Sequence, residues 1–466
     1  GARLDLPRFG DKPLANPRTD QLFGFRTDVI PSPTQFSPRL GFNWNATGDG
    51  KNQVRGGIGV FTGRTPYVWL SNQFSGTGVQ FARLSITRNA ALRIPFVANP
   101  DNQPTQVGNV GGAASNEYAL VDPDFKFPSV LRYNVAYDRD LGWGGLIATA
   151  EFLYADTLQE ILYNNVNLTP TGATAFDGRP TFKRVDSATS AAYLLTNTSQ
   201  GRSWTATFKV ERPFRKNLYW SASYLYNDTT AVNDGTSSTA ASQFGNNPVP
   251  GNPNDPPATL SNYATGHRVN LAVSYTFKIF RGVETTVSGF YNGQSGLPFK
   301  YIFAAGGFND VNGDASVGTA GLPDDLLYVP RSADEVVVQG GTWDQLDAFI
   351  EGDAGLRKYR GQIVPRNATR LDWRNRVDFR LAFGIPAGKA KVELTADVEN
   401  FLNLFDKNNG QVFDEVFPGV APVNLAGYQN GKPIYQLRLT ASTFTKGSFV
   451  DLASRWQAQL GARIRF

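Results

Sequence analysis

Oxygen-bearing side chains at alternate positions are the feature of this chain best suited to hold a ligand. Asp310, Asn312, Asp314 and Ser316 stand in the run Asp310-Val311-Asn312-Gly313-Asp314-Ala315-Ser316, with Asp324 and Asp325 downstream. Such a run can wrap a hard cation, and Ca²⁺ is the cation expected for these four ligands. The run departs from an EF-hand loop, because Ala315 stands where the sixth position wants Gly and no Glu closes the twelfth. The competing reading is an Asx-rich turn with solvated carboxylates.

Other chemistry is thinly provided. His267, beside Arg268, is the sole histidine, so a His-rich metal site is excluded and an interface or structural role is expected. Cys is absent, which removes disulfides, thiol catalysis and thiolate metal sites. Gly142-Trp143-Gly144-Gly145 and Arg55-Gly56-Gly57 are followed by no helical pattern, so they read as turn and close-packing glycines and not as phosphate loops. No nucleophile–base pair emerges, and neither catalysis nor an organic cofactor is expected. The 45 basic and 40 acidic residues are spread along the whole length, with no patch suited to nucleic acid.

The elements that must position these residues are strands. The last eleven residues set Trp456, Ala458, Leu460, Ala462, Ile464 and Phe466 on one face. Gln457, Gln459, Gly461, Arg463 and Arg465 fall on the other. One apolar and one polar, charged face suit a wall between lipid and a wet interior. The same period-2 alternation recurs at 36–45, 129–139, 145–157, 201–213, 217–227, 266–278, 375–385 and 390–400, and more weakly at 52–62 and 283–293. These lengths match the roughly 9–11 residues of a tilted membrane-crossing strand. No stretch is long and apolar enough for a transmembrane helix, and the mean hydropathy is only −0.31. Asp378 and Arg380 share the polar face with Lys391, Glu393, Asp397 and Glu399 across one short turn, so opposite charges are placed to pair.

Short connections at 46–51, 140–144, 214–216, 279–282 and 386–389 alternate with long ones at 7–35, 63–128, 158–200, 228–265, 294–374 and 401–455. Tight periplasmic turns and long extracellular loops of an outer-membrane barrel give this alternation. The C-terminus is then periplasmic. Runs at Val79–Ile86, Gln159–Leu168, Ala191–Asn197, Phe299–Phe303 and Tyr435–Leu439 read as hairpins standing above the membrane. The chain does not begin with Met and opens on a short alternating remnant, Gly1–Leu6, so it is expected to be processed or part of a longer protein. The expected fold is an all-β transmembrane antiparallel barrel. A closed twelve-strand barrel is one form of it.

A family resemblance is carried by Phe36-Ser37-Pro38-Arg39-Leu40-Gly41-Phe42, Arg55-Gly56-Gly57-Ile58-Gly59-Val60-Phe61 and Tyr67-Val68-Trp69-Leu70-Ser71-Asn72. Further on it rests on Arg366-Asn367, Arg370, Trp373, Asp378, the run Asp397 to Asp406 containing Asn403-Leu404-Phe405-Asp406, and Arg455-Trp456-Gln457. Together they resemble the C-terminal barrel region of Oar-like TonB-dependent receptors of the bacterial outer membrane. The resemblance implies that residues 1–466 are the later part, about the last twelve strands, of a 22-stranded barrel. A plug and a TonB-binding segment would lie outside this chain, and the polar wall would face the plug. It implies a transport receptor for an unidentified extracellular ligand, with outer-membrane lipid, lipopolysaccharide and a TonB-type energy transducer as partners. A surface structural or adhesion barrel, or a passive pore, is the alternative.

Overall fold

The computed structural model describes residues 1–63, 67–83, 96–107, 110–111, 113–114, 116–304, 310–314, 325–439 and 444–466. Its largest element is a twelve-strand wall in which every strand pairs antiparallel with the next in chain order. The strands are β1 (Ala2–Asp5), β2 (Gln35–Asn45), β3 (Asn52–Thr62), β4 (Ser129–Asp140), β5 (Ile147–Asn165) and β6 (Gly201–Arg215). Then follow β7 (Leu218–Ala231), β8 (Gly266–Lys278), β9 (Glu284–Gln294), β10 (Arg374–Ala387), β11 (Ala390–Glu399) and β12 (Gln457–Arg465). All the spanning runs expected from alternation are present. Among the described residues β1 pairs only with β2 and β12 only with β11, so the wall does not close on itself as a twelve-strand barrel.

Register keeps like with like. Leu394 lies opposite Phe383 on one side and Ala462 on the other, while Asp397 lies between Arg380 and Gln459. A slip of one residue would exchange the two faces, so the chemical difference between the faces specifies the register. In a meander of antiparallel strands, alternate connections gather at the same end. The tight ones, such as the two-residue turn Lys216-Asn217 with φ of 47° and 65°, mark one end of the wall. Positive φ at both central residues is the type I′ signature that matches strand twist. Gly142, Gly144 and Gly145 also take positive φ in the turn between β4 and β5. Gly56 serves close packing, since a Cβ there would meet the Asn134 carbonyl at 2.7 Å and the Phe42 ring at 2.8 Å.

The packed core sits in the long loops. One cluster draws Phe299, Tyr301, Phe303, Leu327, Leu346, Ile350 and Leu356 from the β9–β10 loop and Val420, Leu425 and Tyr435 from the β11–β12 loop. A second joins Trp69, Leu70, Phe125, Phe127, Leu168, Phe182, Leu195 and Phe244 around Ile161 and Tyr163. Those last two belong to β5, which continues past its neighbours. The expected hairpin at Gln159–Leu168 is therefore mostly this strand running on past a register shift between Thr157 and Gln159, to Asn165. The strand Ala191–Thr198 folds back onto it and pairs in parallel with Glu117–Val121. Lys432–Leu437 forms a hairpin with Val423–Gln429. Phe299–Phe303 is not a hairpin of its own. Pro298–Phe299 pairs with Thr369–Arg370, while Tyr301 and Ile302 make isolated bridges to Val420 and Leu326. Of Val79–Ile86, residues 84–86 lie outside the described residues, and Ala82–Arg83 is a strand.

Short helices also appear in the loops. Trp343–Glu351 starts at a capping box, in which the Thr342 hydroxyl accepts from the Gln345 N–H and the Gln345 side chain accepts from the Thr342 N–H. It buries Leu346 and Ile350. Nine helical residues inside a long loop are too few for their period to stand out in sequence.

Candidate functional site

The wall has two chemically opposite faces. On one, Leu40, Trp44, Phe208, Leu460 and Ile464 remain more than half exposed. A soluble protein rarely leaves so continuous an apolar surface uncovered. On the other, charges are neutralised in pairs. Arg55 reaches Asp138 at 2.9 Å and Glu151 at 3.1 Å. Arg376 reaches Asp378 and Glu399 at 2.8 Å each, and Arg380 reaches Asp397 at 3.3 Å. Lys391 pairs with Glu284 at 3.0 Å and Arg465 with Glu393 at 3.2 Å. The cross-turn pairing expected for Asp378, Arg380 and their neighbours is thus real, but two of its partners, Glu284 and Arg465, come from strands further along the wall. The pairs are partly exposed, so each contributes at most about 1 kcal/mol. Their role is to make a wettable face without net repulsion.

Several residues of the family-like motifs are clamps where loops meet the wall. Asn400 is buried in the left-handed conformation, φ 52°, directly after β11. Its side chain donates to the carbonyls of Gly410 (3.1 Å) and Ser454 (2.8 Å), and its N–H donates to Asp378 at 2.8 Å. Asn403 donates to the carbonyls of Lys407 and Asn409 and accepts from the Trp456 N–H. Arg366 donates to Thr259 and the Ala231 carbonyl, and Asn367 to the Leu260 carbonyl and Asn262. Arg370 donates to the Ala264 and Gly296 carbonyls. Asn tolerates left-handed backbone and can satisfy orphan carbonyls. That combination explains why asparagine fits these corners. Asn400→Ala is expected to leave two carbonyls unpaired, at about 1–3 kcal/mol for each buried group. Limited proteolysis should then cut the 400–456 loop faster while the wall stays intact.

Three of the four expected cation ligands are described, and Ser316 lies outside the described residues. The Asp310 carboxylate accepts from the Gly313 N–H at 2.6 Å. Asn312 donates to Asp314 at 3.0 Å, and both are buried. Asp325 accepts from the Val311 N–H at 2.7 Å and pairs with Arg179. Among the described residues no group of three or more acidic, His or Cys side chains is placed to hold a metal ion. Arg179 stands in no sequence motif, yet it is the centre of this region. Its fully buried guanidinium also reaches Asp177 at 2.7 Å and the Leu326 carbonyl at 2.6 Å. Burial pushes the Asp325 carboxyl up, and Arg179 opposes that shift.

Two further loop carboxylates show how burial and partners compete. Burial pushes Glu415 up, against the pull of Lys300. Burial also pushes Asp353 up, but hydrogen bonds from Lys446, Tyr301 and the Leu356 N–H hold it below the ordinary carboxylate range. A depressed carboxylate adds stability above its unfolded pKa of about 3.9 and loses it as pH falls through the folded value. Asp353 should therefore contribute less to the loop core as pH falls below about 4, seen as an earlier loss of near-ultraviolet dichroism on heating. Asp353→Asn should flatten that dependence on pH.

His267 sits at the start of β8, where its Nδ1 lies 2.7 Å from the Tyr224 hydroxyl and its ring 4.8 Å from that of Tyr226. It belongs to an aromatic cluster on the apolar face, at the long-loop end.

A model of the outer membrane beta barrel domain matches residues 23–413. The chain belongs to that family. The apolar face is accordingly the lipid-facing belt of an outer-membrane protein, and the paired charges line the inner side. Among solved structures the chain is similar to the outer membrane transporter YddB from Escherichia coli, with 12% identity and a TM-score of 0.47. That match covers 93% of this chain and 41% of the other. It is also similar to the ferric enterobactin receptor PfeA from Pseudomonas aeruginosa, at 10% identity and TM-score 0.41, covering 93% and 40%. A third is BauA, the ferric preacinetobactin receptor from Acinetobacter baumannii, at 10% identity and TM-score 0.37, covering 94% and 37%. The chain spans less than half the length of these proteins. No curated protein matches it.

Proposed function

We propose that this chain is barrel wall and loop cap of a TonB-dependent outer-membrane receptor, which takes up a ligand captured by its long loops. The observation that carries the reading is that those loops pack into hydrophobic cores of their own at one end of a charged, wettable wall. A passive pore gains nothing from so heavily built a cap. The motif resemblance at Arg366-Asn367, Arg370 and Asn403 to Asp406 supports the same class. In this reading the long loops are extracellular and the turns periplasmic. Residues 1–466 supply later strands of a larger barrel, and the inner charges face a plug that a TonB-type transducer displaces. Among the described residues β1 and β12 each keep one edge unpaired, which leaves room for neighbouring strands in such a barrel.

The test is the conductance of the full-length protein from outer membranes, in planar bilayers bathed in potassium chloride. A plugged receptor gives no steady open current. Stable current steps would establish a pore. Silent bilayers together with loss of cell–cell clumping on deletion, and no nutrient phenotype, would move the assignment to surface adhesion.

A further inference from the structure

At the long-loop end of the inner face, two arginines make no ion pair among the described residues. Arg268, Gln294 and Arg374 stand side by side on β8, β9 and β10. The next row holds Asn270, Asn292 and Arg376. Arg376 is neutralised by Asp378 and Glu399. Among the described residues Arg268 has no ion pair, and the Asn292 amide oxygen, turned toward it, lies 2.8 and 3.2 Å away. Arg374 makes no ion pair among the described residues, and its Nε is buried without a hydrogen-bond partner. Asp414 acts on it electrostatically without forming an ion pair.

Beside this row lies a cavity of about 220 Å³, between the strand-end segments 294–297 and 371–375 and the loop 408–411. Arg374, Gln294, Ser295, Asn375, Asn408 and Gln411 line it, and each carries an N–H or O–H donor. Asp372 stands among the lining residues as the one carboxylate. A guanidinium presents its donors as a rigid fork that fits carboxylate and phosphate oxygens. A half-buried guanidinium whose Nε has no partner among the described residues, amide donors around a cavity and a second arginine in the same row share one complement.

We propose that this cavity binds an oxyanion, a carboxylate or phosphate group, with Arg374 as its principal donor and Arg268 adding charge. The proposal deepens the receptor reading by naming the charge class of its ligand, and rests on that reading for its biological sense, though not for its geometry. The cavity lies at the rim, lined also by Trp373 and by Asn375 of the outer face, so the anion belongs either to a soluble solute or to a phosphorylated headgroup of the outer leaflet.

The experiment is titration calorimetry of the full-length protein in nanodiscs, with inorganic phosphate and citrate as probes and chloride at equal ionic strength as control. One set of nanodiscs contains phosphorylated lipid A and one does not. Saturable binding that weakens about tenfold or more in Arg374→Gln, and less in Arg374→Lys, is expected. Binding in both nanodiscs assigns a soluble solute. Binding only where lipid A is absent assigns the headgroup. If Arg374→Gln fails to fold, Asn408→Asp sets a carboxylate on the opposite wall and should give the same loss by repulsion. No saturable binding in either nanodisc, or binding indifferent to both variants, overturns the proposal. Steady open current would sink the receptor reading while leaving the anion site standing, so the two failures are distinguishable.

Discussion

Arg179→Met should destabilise the loop cap by about 3–5 kcal/mol, the usual cost of removing one partner from a buried ion pair. Arg179 is fully enclosed between Asp177 and Asp325, and Asp177 is equally enclosed. Its replacement strands two carboxylates in a low-dielectric pocket and frees the Leu326 carbonyl. The triad joins the hairpin of Leu168–Thr174 and Pro180–Arg184 to the β9–β10 loop, so the damage should be local. Hydrogen exchange resolved by peptide should speed in 168–184 and 325–364 and stay unchanged in the wall strands. A triple variant with Asp177→Leu and Asp325→Leu added should recover much of the loss, because apolar packing can replace a buried ionic cluster. Unchanged exchange in Arg179→Met would mean that water reaches the site and the triad is not buried.

Leu394→Arg is expected to cost about 2–4 kcal/mol in a lipid bilayer, the range for a cation at the midplane of a barrel's lipid face. Thr395→Arg, one residue on, should cost less than about 1 kcal/mol, since lumen-facing positions tolerate charge. Leu394 lies between Phe383 and Ala462 on the apolar side, and Thr395 between Ala382 and Gly461 on the polar side. Denaturant unfolding from vesicles measures both. Equal costs at the two sites would contradict the assignment of faces.

The wall was legible in the sequence because a strand's side chains alternate with a strict period of two, and the environment differs on its two sides. Trp456 to Phe466 carries that pattern unbroken, as do β8 and β11, and β4, β6 and β7 carry it over most of their length. The loop–turn alternation then fixed the meander, since antiparallel neighbours need only be joined end to end. The fate of β5 beyond residue 157 shows the limit: the strand continues although its alternation lapses at Gln159-Glu160 and Ile161-Leu162-Tyr163, and nothing in its own residues tells whether its partner is a neighbouring wall strand or Ala191–Thr198.

What the tertiary structure decided lies between segments far apart in the chain. Asp310, Asn312 and Asp314 drew attention as a local cluster, yet the group that engages Asp325 is Arg179, 146 residues away. Arg374 was invisible for the converse reason, because an arginine on a polar strand face is ordinary until its neighbours are known to lack carboxylates for it. The loop cores were hidden too, as Phe299, Leu356 and Tyr435 belong to short pieces with no period of their own. Local pattern encodes which way a side chain points. Only the folded chain determines what it meets, because the contacts that neutralise a charge or close a core are made across sequence separations that no local pattern spans.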